Sequence, residues 1–388
     1  MIIAFDIRPL MGGKISGVEM YIHHLLKNLF LIDQENFYIL FANATRPQQF
    51  FLPEIKSKNV VLIQTRIPNK ILNLSLAFLK WPKLDRLILK HLQKKHPQLK
   101  IPGIDVFFMP DLRLSALSKN VRKITVVHDL SFKHFPQFFS RKTLLWYKLL
   151  NPQKEIAGSN KIIAVSEFTK RDLINSFGIP AAKIQVIYEG ISAEFAQNIS
   201  AKNLQRIKQK YALPPQFFLF LATLEPRKNM KRLIEAFISF KKKHPSALKL
   251  VLAGTANQKI FSAVKIENHP DLVLTGFVEE YDKPGLIGAA STLLYPSLFE
   301  GFGLPLLEAM KCGTPIITSG TSAMPEIVGK AAILVDPLKT EEIALAMEKI
   351  LDPAIKHELK QAMAHQIKKF SWQTCAQKTL ELISGLRN

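Results

Sequence analysis

The chain has 388 residues, 47% of them hydrophobic, and carries 53 Lys and Arg against 31 Asp and Glu, a net charge of +22. That length exceeds one ordinary core and predicts two domains of roughly 150 to 200 residues, while the hydrophobic content excludes a disordered chain. Two cysteines far apart in sequence, Cys312 and Cys375, exclude a disulfide framework or a cysteine-rich zinc site, and no apolar run approaches the roughly 18 residues that span a bilayer.

These features predict a soluble or peripheral protein of a reducing cytoplasm. The start, Met1-Ile-Ile-Ala-Phe-Asp6, reads as a buried strand and lacks the basic onset, long apolar stretch and cleavage site of a leader. The positive charge favours polyanionic company: nucleic acid, an anionic membrane face or phosphorylated ligands. No zinc-finger spacing, aromatic single-strand-binding signature or clear helix-turn-helix supports the first of these.

In chain order, "MIIAFDI", "FYILFA", "NVVLIQT", "VFFMP", "KITVVHD" and "KIIAVSE" read as buried strands, and Val18 to Phe30 carries apolar residues at helical spacing. Between the third and fourth strands, Arg66 to Lys100 holds nine bases against one acid, Asp85, interleaved with Ile71, Leu74, Phe78, Leu79, Trp81 and further apolar residues. Two readings fit it: a basic amphipathic surface suited to acidic headgroups, or a helix pair with a solvated basic face. After Ala193 a Lys/Gln-rich stretch to Tyr211 links or leads into a new domain. The pattern then restarts with "FFLFLAT", "LKLVLAG", "LVLTGF", "STLLYPS", "PIITS" and "AAILVD". Two such sets predict two doubly wound α/β domains, whose ligands sit beyond the carboxyl ends of the strands.

Two strand ends in the second half carry chemistry. "LEPRKN" follows the first of these strands, and a helix beginning at Met230 puts Leu233, Ile234, Phe237 and Ile238 on its inner face, with Asn229 as expected N-cap. Arg227 and Lys228 therefore stand before a helix N-terminus, a place that favours an anion. The stretch "LFEGFGLPLLEAMKCGTP", Leu298 to Pro315, sets Glu300 and Glu308 around a glycine-rich turn. Pro305 is expected to open a helix ending near Lys311, with Gly313 behind it. Gly301 and Gly303 let backbone amides approach a ligand. Like charges cannot share an anion, so the two acids are expected to accept from hydroxyls. The turn is then expected to hold a polyol that also carries phosphate, and a nucleotide sugar has both.

"EPRKN" at 225 to 229, "FEGFGLPLLEAMKCGTP" at 299 to 315 and "MPEIVGKAAILVDP" at 324 to 337 resemble the retaining GT-B glycosyltransferases, and Glu300 and Glu308 resemble that family's E-x(7)-E motif. "VVHDLSF", "IIAVSEFTKRDL", "VIYEGI" and "FSW" at 370 to 372 extend the resemblance over most of the chain. The stretch from about Phe50 to Pro102, where an acceptor site is expected, lies outside the resemblance.

The resemblance implies an α/β GT-B fold of two Rossmann-like domains facing a central cleft: an acceptor-binding domain over 1–198, a nucleotide-sugar domain over 199–364, and a helix over 365–388 returning to the first. It implies that Arg227 and Lys228 hold the donor diphosphate, that Glu308 accepts from the ribose and that Glu300 meets the transferred sugar near its C3 and C4 hydroxyls. The amides of Phe302, Gly303 and Leu304 would touch sugar and phosphate, with Gly301 beside them. Gly12 and Gly13 would close over the diphosphate, and His128 would lie near sugar and acceptor.

The expected reaction is retaining front-face transfer without a metal or other cofactor, since no D-x-D pair appears and Arg227 and Lys228 take the metal's place. Expected partners are a nucleotide-sugar donor, GDP-mannose ahead of UDP- and ADP-sugars, a glycan or lipid-linked acceptor of lipopolysaccharide type, and the inner face of an anionic membrane, with no nucleic acid. An epimerase or phosphorylase of the same fold, a sugar-nucleotide-binding protein without turnover, and a basic nucleic-acid binder stand as alternatives.

Overall fold

The apolar runs become parallel strands, most of them buried on both faces as unbroken hydrophobic stretches require. The computed structural model describes residues 1–12, 16–45, 51–54, 57–195, 200–223, 225–254 and 269–387. Among them, one sheet holds β1 (Ile2–Asp6), β2 (Phe37–Asn43), β3 (Val60–Thr65), β4 (Val106–Met109), β5 (Arg122–Val127), β6 (Lys161–Ala164) and β7 (Ile184–Val186). A second holds β8 (Phe217–Leu221), β9 (Lys249–Ala253), β10 (Leu272–Gly276), β11 (Thr292–Tyr295), β12 (Ile316–Ser319) and β13 (Ile333–Val335).

The strand orders are β3-β2-β1-β4-β5-β6-β7 and β10-β9-β8-β11-β12-β13. Both are Rossmann orders, reversing direction between β1 and β4 in one sheet and between β8 and β11 in the other, so the crevices that suit ligands open there. Of these strands only β7 is missing from the sequence reading. It has three residues, Ile184–Val186, too few to show a period.

The chain divides into two units. The first comprises Met1–Phe132, Phe139–Gly190 and the segment from Trp372 onward. The second comprises Lys133–Phe138 and Ile191–Ser371. The divisions thus fall at 190/191 and 371/372, where the sequence reading had 198/199 and 364/365. The helix Pro353–Gln366 stays with the second unit, where Gln366 Nε2 donates to Ile327 O at 2.9 Å. The Lys/Gln-rich stretch leads into the second unit, with residues 196–199 outside the described residues. Its later part forms the helix Ala201–Lys210, pinned through fully buried Asp282, which accepts from Arg206 at 2.5 Å, Lys210 at 2.6 Å and Tyr211 Oη at 2.8 Å.

In the first unit the helix Trp372–Ser384 packs on the helix Gly17–Ile32, where Trp372 stacks on His24 with centroids 5.1 Å apart and meets Tyr21 edge-on. Burial pushes the His24 imidazole down to about 4, so it is a neutral packing group at physiological pH. The basic segment resolves into a helix Asn69–Leu74, a π-helical turn Ser75–Leu79 and a helix Leu84–Lys95. Leu72, Leu76, Leu84, Ile88 and Leu92 enter the core. Asp85 is buried and accepts from Ser118 N at 2.9 Å, so the segment's one acid is structural. Left outside are Ile71, Leu74, Phe78, Leu79 and Trp81, exposed by 51 to 73%. No helix among the described residues is long and apolar enough to cross a membrane.

Candidate active site

Arg227 and Lys228 lie on a 3-10 turn, Pro226–Lys228, just after β8. The loop bearing Glu300 follows β11. These strands flank the reversal point of the sheet, and the loops are stapled where Leu298 N donates to Arg227 O at 2.9 Å. Asn229 stands at the start of the helix Met230–Lys243 with φ 63°, but its side chain does not cap it. Its amide instead donates to Pro296 O at 3.0 Å and Pro337 O at 2.6 Å, tying the turn to two neighbouring loops. On that helix Leu233, Ile234, Phe237 and Phe240 are buried, while Ile238 is only half-buried.

Glu300 finds its basic partners outside its own stretch, whose one base is Lys311. Arg227 Nη1 donates to Oε2 at 2.7 Å, and Lys228 Nζ donates to Oε1 at 2.6 Å. Tyr295 Oη, at the end of β11, accepts from Lys228 Nζ at 2.8 Å and donates to Glu300 Oε1 at 3.0 Å. Burial pushes the Glu300 carboxyl up, but Arg227 and Lys228 outweigh it and hold it at about 2. Burial also draws the Lys228 ammonium below its ordinary value against the pull of Glu300. Arg227 Nη2 also lies 3.7 Å from Oε2 of the exposed Glu225, so the two cations are faced by one buried and one exposed carboxylate.

The turn between the acids is shaped by Gly303, whose φ of 101° only glycine adopts readily and where an added Cβ would lie 3.1 Å from Leu306 Cδ1. A second enforced glycine, Gly254 after β9, has φ 138° and would put a Cβ 1.9 Å from Ala222 O. Phe302 is buried edge-on against Phe370, centroids 5.8 Å apart. The following helix is Leu304–Cys312 with Gly313 as its left-handed C-cap, so Leu304 opens it and Pro305 is second rather than first. Gly301 lies in the turn between Glu300 and Phe302, and Glu300 N is held by Ser322 Oγ at 3.1 Å.

Glu308 sits on the second turn of that helix. It is buried, its Oε2 makes no hydrogen bond among the described residues, and burial pushes its carboxyl up, with Lys283 opposing. An unsatisfied buried acceptor next to the amide-lined turn suits a hydroxyl donor. Tyr295 and Lys283 escaped the sequence reading: the first looks like an ordinary strand residue, and the second lies 25 positions before the acid it faces.

His128 belongs to the first unit, one residue beyond β5. Nδ1 lies 3.3 Å from Glu189 Oε1 and Nε2 lies 2.9 Å from Pro110 O, so both nitrogens face acceptors. Burial draws its pKa down, but Glu189, Asp111 and the Pro110 carbonyl raise it to about 8. An imidazolium donating from both nitrogens satisfies this geometry. Gly12 ends the 3-10 turn Arg8–Gly12 after β1, and Gly13 lies outside the described residues.

Two family models account for the chain: "Glycosyltransferase Family 4" matches 15–195 and "Glycosyl transferases group 1" matches 202–370. O-antigen chain mannosyltransferase B of Escherichia coli is 31% identical over 265 residues, 67% of this chain and 69% of that protein. The chain belongs to glycosyltransferase family 4. This family 4 enzyme is also 32% identical over 240 residues to the serotype-specific mannosyltransferase WbdA of Escherichia coli, which covers 60% of this chain and 29% of that protein. Its fold is the GT-B fold: sucrose-phosphate synthase of Thermosynechococcus elongatus superposes with a TM-score of 0.75 over 100% of this chain and 99% of that one, at 18% identity. It is a nucleotide-sugar-dependent glycosyltransferase.

Proposed function

We propose that this enzyme is a retaining hexosyltransferase that moves mannose from GDP-mannose to a glycan or lipid-linked acceptor in cell-surface polysaccharide synthesis of the lipopolysaccharide type. The observation that carries this reading is the grip of Arg227 and Lys228 on the two oxygens of Glu300. The donor choice follows from the relatives named above, two of which are mannosyltransferases.

Arg227, Lys228 and the amides of Phe302, Gly303 and Leu304 hold the departing diphosphate. Glu300 accepts from the sugar's ring hydroxyls and Glu308 from the ribose. Held at about 2, Glu300 stays ionised throughout. Its two oxygens are committed to the bases and the sugar hydroxyls, so it orients the sugar instead of attacking it. The acceptor oxygen bonds to the anomeric carbon on the face that the phosphate oxygen leaves, and the acceptor proton passes to that phosphate oxygen. Arg227 and Lys228 stabilise charge that grows on the diphosphate in the transition state, where the gain lowers the barrier. No metal is required in this scheme.

The first unit docks on acidic lipid through the exposed apolar residues 71–81 and the bases beside them. The enzyme then works at the inner face of the cytoplasmic membrane and binds no nucleic acid.

The test is transfer in excess EDTA, with the product anomer read by NMR and donors ranked by thermal shift. Transfer that persists, a retained anomer and the largest shift from GDP-mannose support the reading. Arg227→Ala and Lys228→Ala each lower kcat by roughly tenfold or more. Activity lost to EDTA and restored by manganese, or an inverted product, overturns it.

A further inference from the structure

Lys133–Phe138 belongs to the second unit, although the residues on either side of it, Phe132 and Phe139, belong to the first. Both flanking rings rest on Tyr147: Phe132 stacks on it with centroids 4.3 Å apart, and Phe139 meets it edge-on at 5.9 Å. Ahead of them Asp129, next to His128, accepts from Ser131 N at 2.8 Å and from Ser131 Oγ at 2.6 Å. The chain between is a short helix, Ser131–His134, and a 3-10 turn, Pro136–Phe138. It is a strap tied down at both ends.

Within the second unit the strap meets Phe299, the residue before Glu300. The His134 and Phe135 rings lie 5.2 Å and 5.7 Å from the Phe299 ring, and Phe138 stacks parallel behind Phe135 at 5.4 Å. Phe299 itself is buried. Its carbonyl accepts from Arg227 Nη1 at 2.7 Å, and Glu300 Oε2 accepts from the same nitrogen at 2.7 Å. Nη1 carries two hydrogens, so these two acceptors take both and set the plane of the guanidinium. Glu300 has its own ties to Lys228, Tyr295 and Ser322. The Phe299 carbonyl is a main-chain group, and the packing of its side chain decides where it points.

We propose that Lys133–Phe138 is a positioning element of the transfer reaction: His134 and Phe135 fix Phe299, and through the Phe299 carbonyl they aim the Arg227 guanidinium at the donor diphosphate. The inference rests on the transferase reading above. Arginine grips phosphate through a planar fork, so a tilt of that plane weakens a two-point contact that a point charge would keep. Arg227 shares Glu300 with the sugar side of the site, so the phosphate it serves is the distal one, next to the sugar, which a nucleoside monophosphate lacks. The strap therefore acts on recognition of the diphosphate and leaves base and ribose contacts alone.

The test uses calorimetry on the full chain with the pairs GDP and GMP, UDP and UMP, and ADP and AMP. Its readout is the ratio of diphosphate to monophosphate affinity for the base that binds. Phe135→Ala lowers this ratio by about tenfold, the loss of one charge-assisted hydrogen bond. Phe135→Tyr, which keeps the ring, retains it. In an Arg227→Ala background Phe135→Ala lowers the ratio no further, because the group it positions is gone. Monophosphate affinity stays unchanged throughout, which also reports that the variants fold. His134→Ala, at an exposed position, is the milder second variant and shifts the ratio in the same direction. An unchanged ratio in both Phe135→Ala and His134→Ala overturns the proposal. So does an equal loss of monophosphate and diphosphate affinity, or a drop in the Arg227→Ala background as large as in wild type. Failure of the wild-type protein to bind any nucleotide overturns the transferase reading instead.

Discussion

Lys228 Nζ and Glu300 Oε1 meet at 2.6 Å, 72 residues apart in sequence, in a site where each side chain is about one-tenth exposed. The pair makes each partner conditional on the other: without Glu300 a buried ammonium loses its counter-charge, and without Lys228 the carboxylate leans on Arg227 alone.

Substitution at Glu300 therefore separates stability from binding. Glu300→Gln leaves the buried cations undercompensated and should cost about 3 to 5 kcal/mol of stability, the usual effect of breaking a buried pair. Its carboxyl is depressed to about 2, so the stabilisation is fully present above the unfolded value near 4.5 and is lost as pH falls through 2. Chemical denaturation of wild type and variant should differ most above pH 5 and converge in acid. Bare nucleotide should bind Glu300→Ala at least as tightly as wild type while transfer falls. Weaker nucleotide binding would assign Glu300 to the nucleotide rather than the sugar.

Glu308 carries the opposite sign. Burial raises its carboxyl, so its ionisation costs the folded state stability once pH passes the unfolded value. Glu308→Gln should raise Tm at pH 7 to 8, with the gain vanishing below about pH 4. The same substitution should weaken nucleotide binding, since a hydrogen bond from ribose to a charged acceptor is worth roughly 1.5 to 3 kcal/mol. Calorimetry and melting curves on one variant check both halves. A lower Tm at neutral pH would show that the unbound carboxylate is not a burden.

His128 titrates higher than an ordinary histidine, at about 8, because Glu189 faces it. A raised folded value means that its stabilising contribution is complete below the unfolded value near 6.5 and disappears as pH rises through 8. Glu189→Gln should move the His128 midpoint, followed by NMR, below 6.5, since burial then acts with weaker opposition. It should also flatten the loss of stability between pH 6.5 and 8. A midpoint that stays near 8 in the variant would assign the shift to Asp111 and Pro110.

On the basic segment, Arg86, Lys90 and Lys94 are exposed at positions four apart on the helix Leu84–Lys95, with Lys83 just before it. Liposome binding should require acidic headgroups, weaken with salt, and disappear when these four residues are replaced by Glu. Phe78→Ser with Trp81→Ser should weaken binding even at low salt, because the apolar share of the attachment is not screened. Equal sedimentation of the fourfold variant with acidic vesicles would end the proposal.

Much of the fold is legible in the chain itself. Twelve apolar runs mark strands because parallel strands covered on both faces need unbroken hydrophobic stretches, and Gly303 and Gly313 mark turns that only their backbone freedom permits. The chemistry of the candidate site is legible too: "EPRKN" and the paired acids stand at strand ends, and local position relative to a helix start is a property of sequence. What the chain does not display is partnership across distance. That Arg227 and Lys228 close on Glu300, that Asn229 ties neighbouring loops instead of capping its helix, and that Asp85 and Asp282 are buried anchors all depend on which loops the strand order makes neighbours. The reversal between β8 and β11 brings residues 72 positions apart within hydrogen-bond reach, and pairings over such separations leave no periodic trace, so only the tertiary structure decides them.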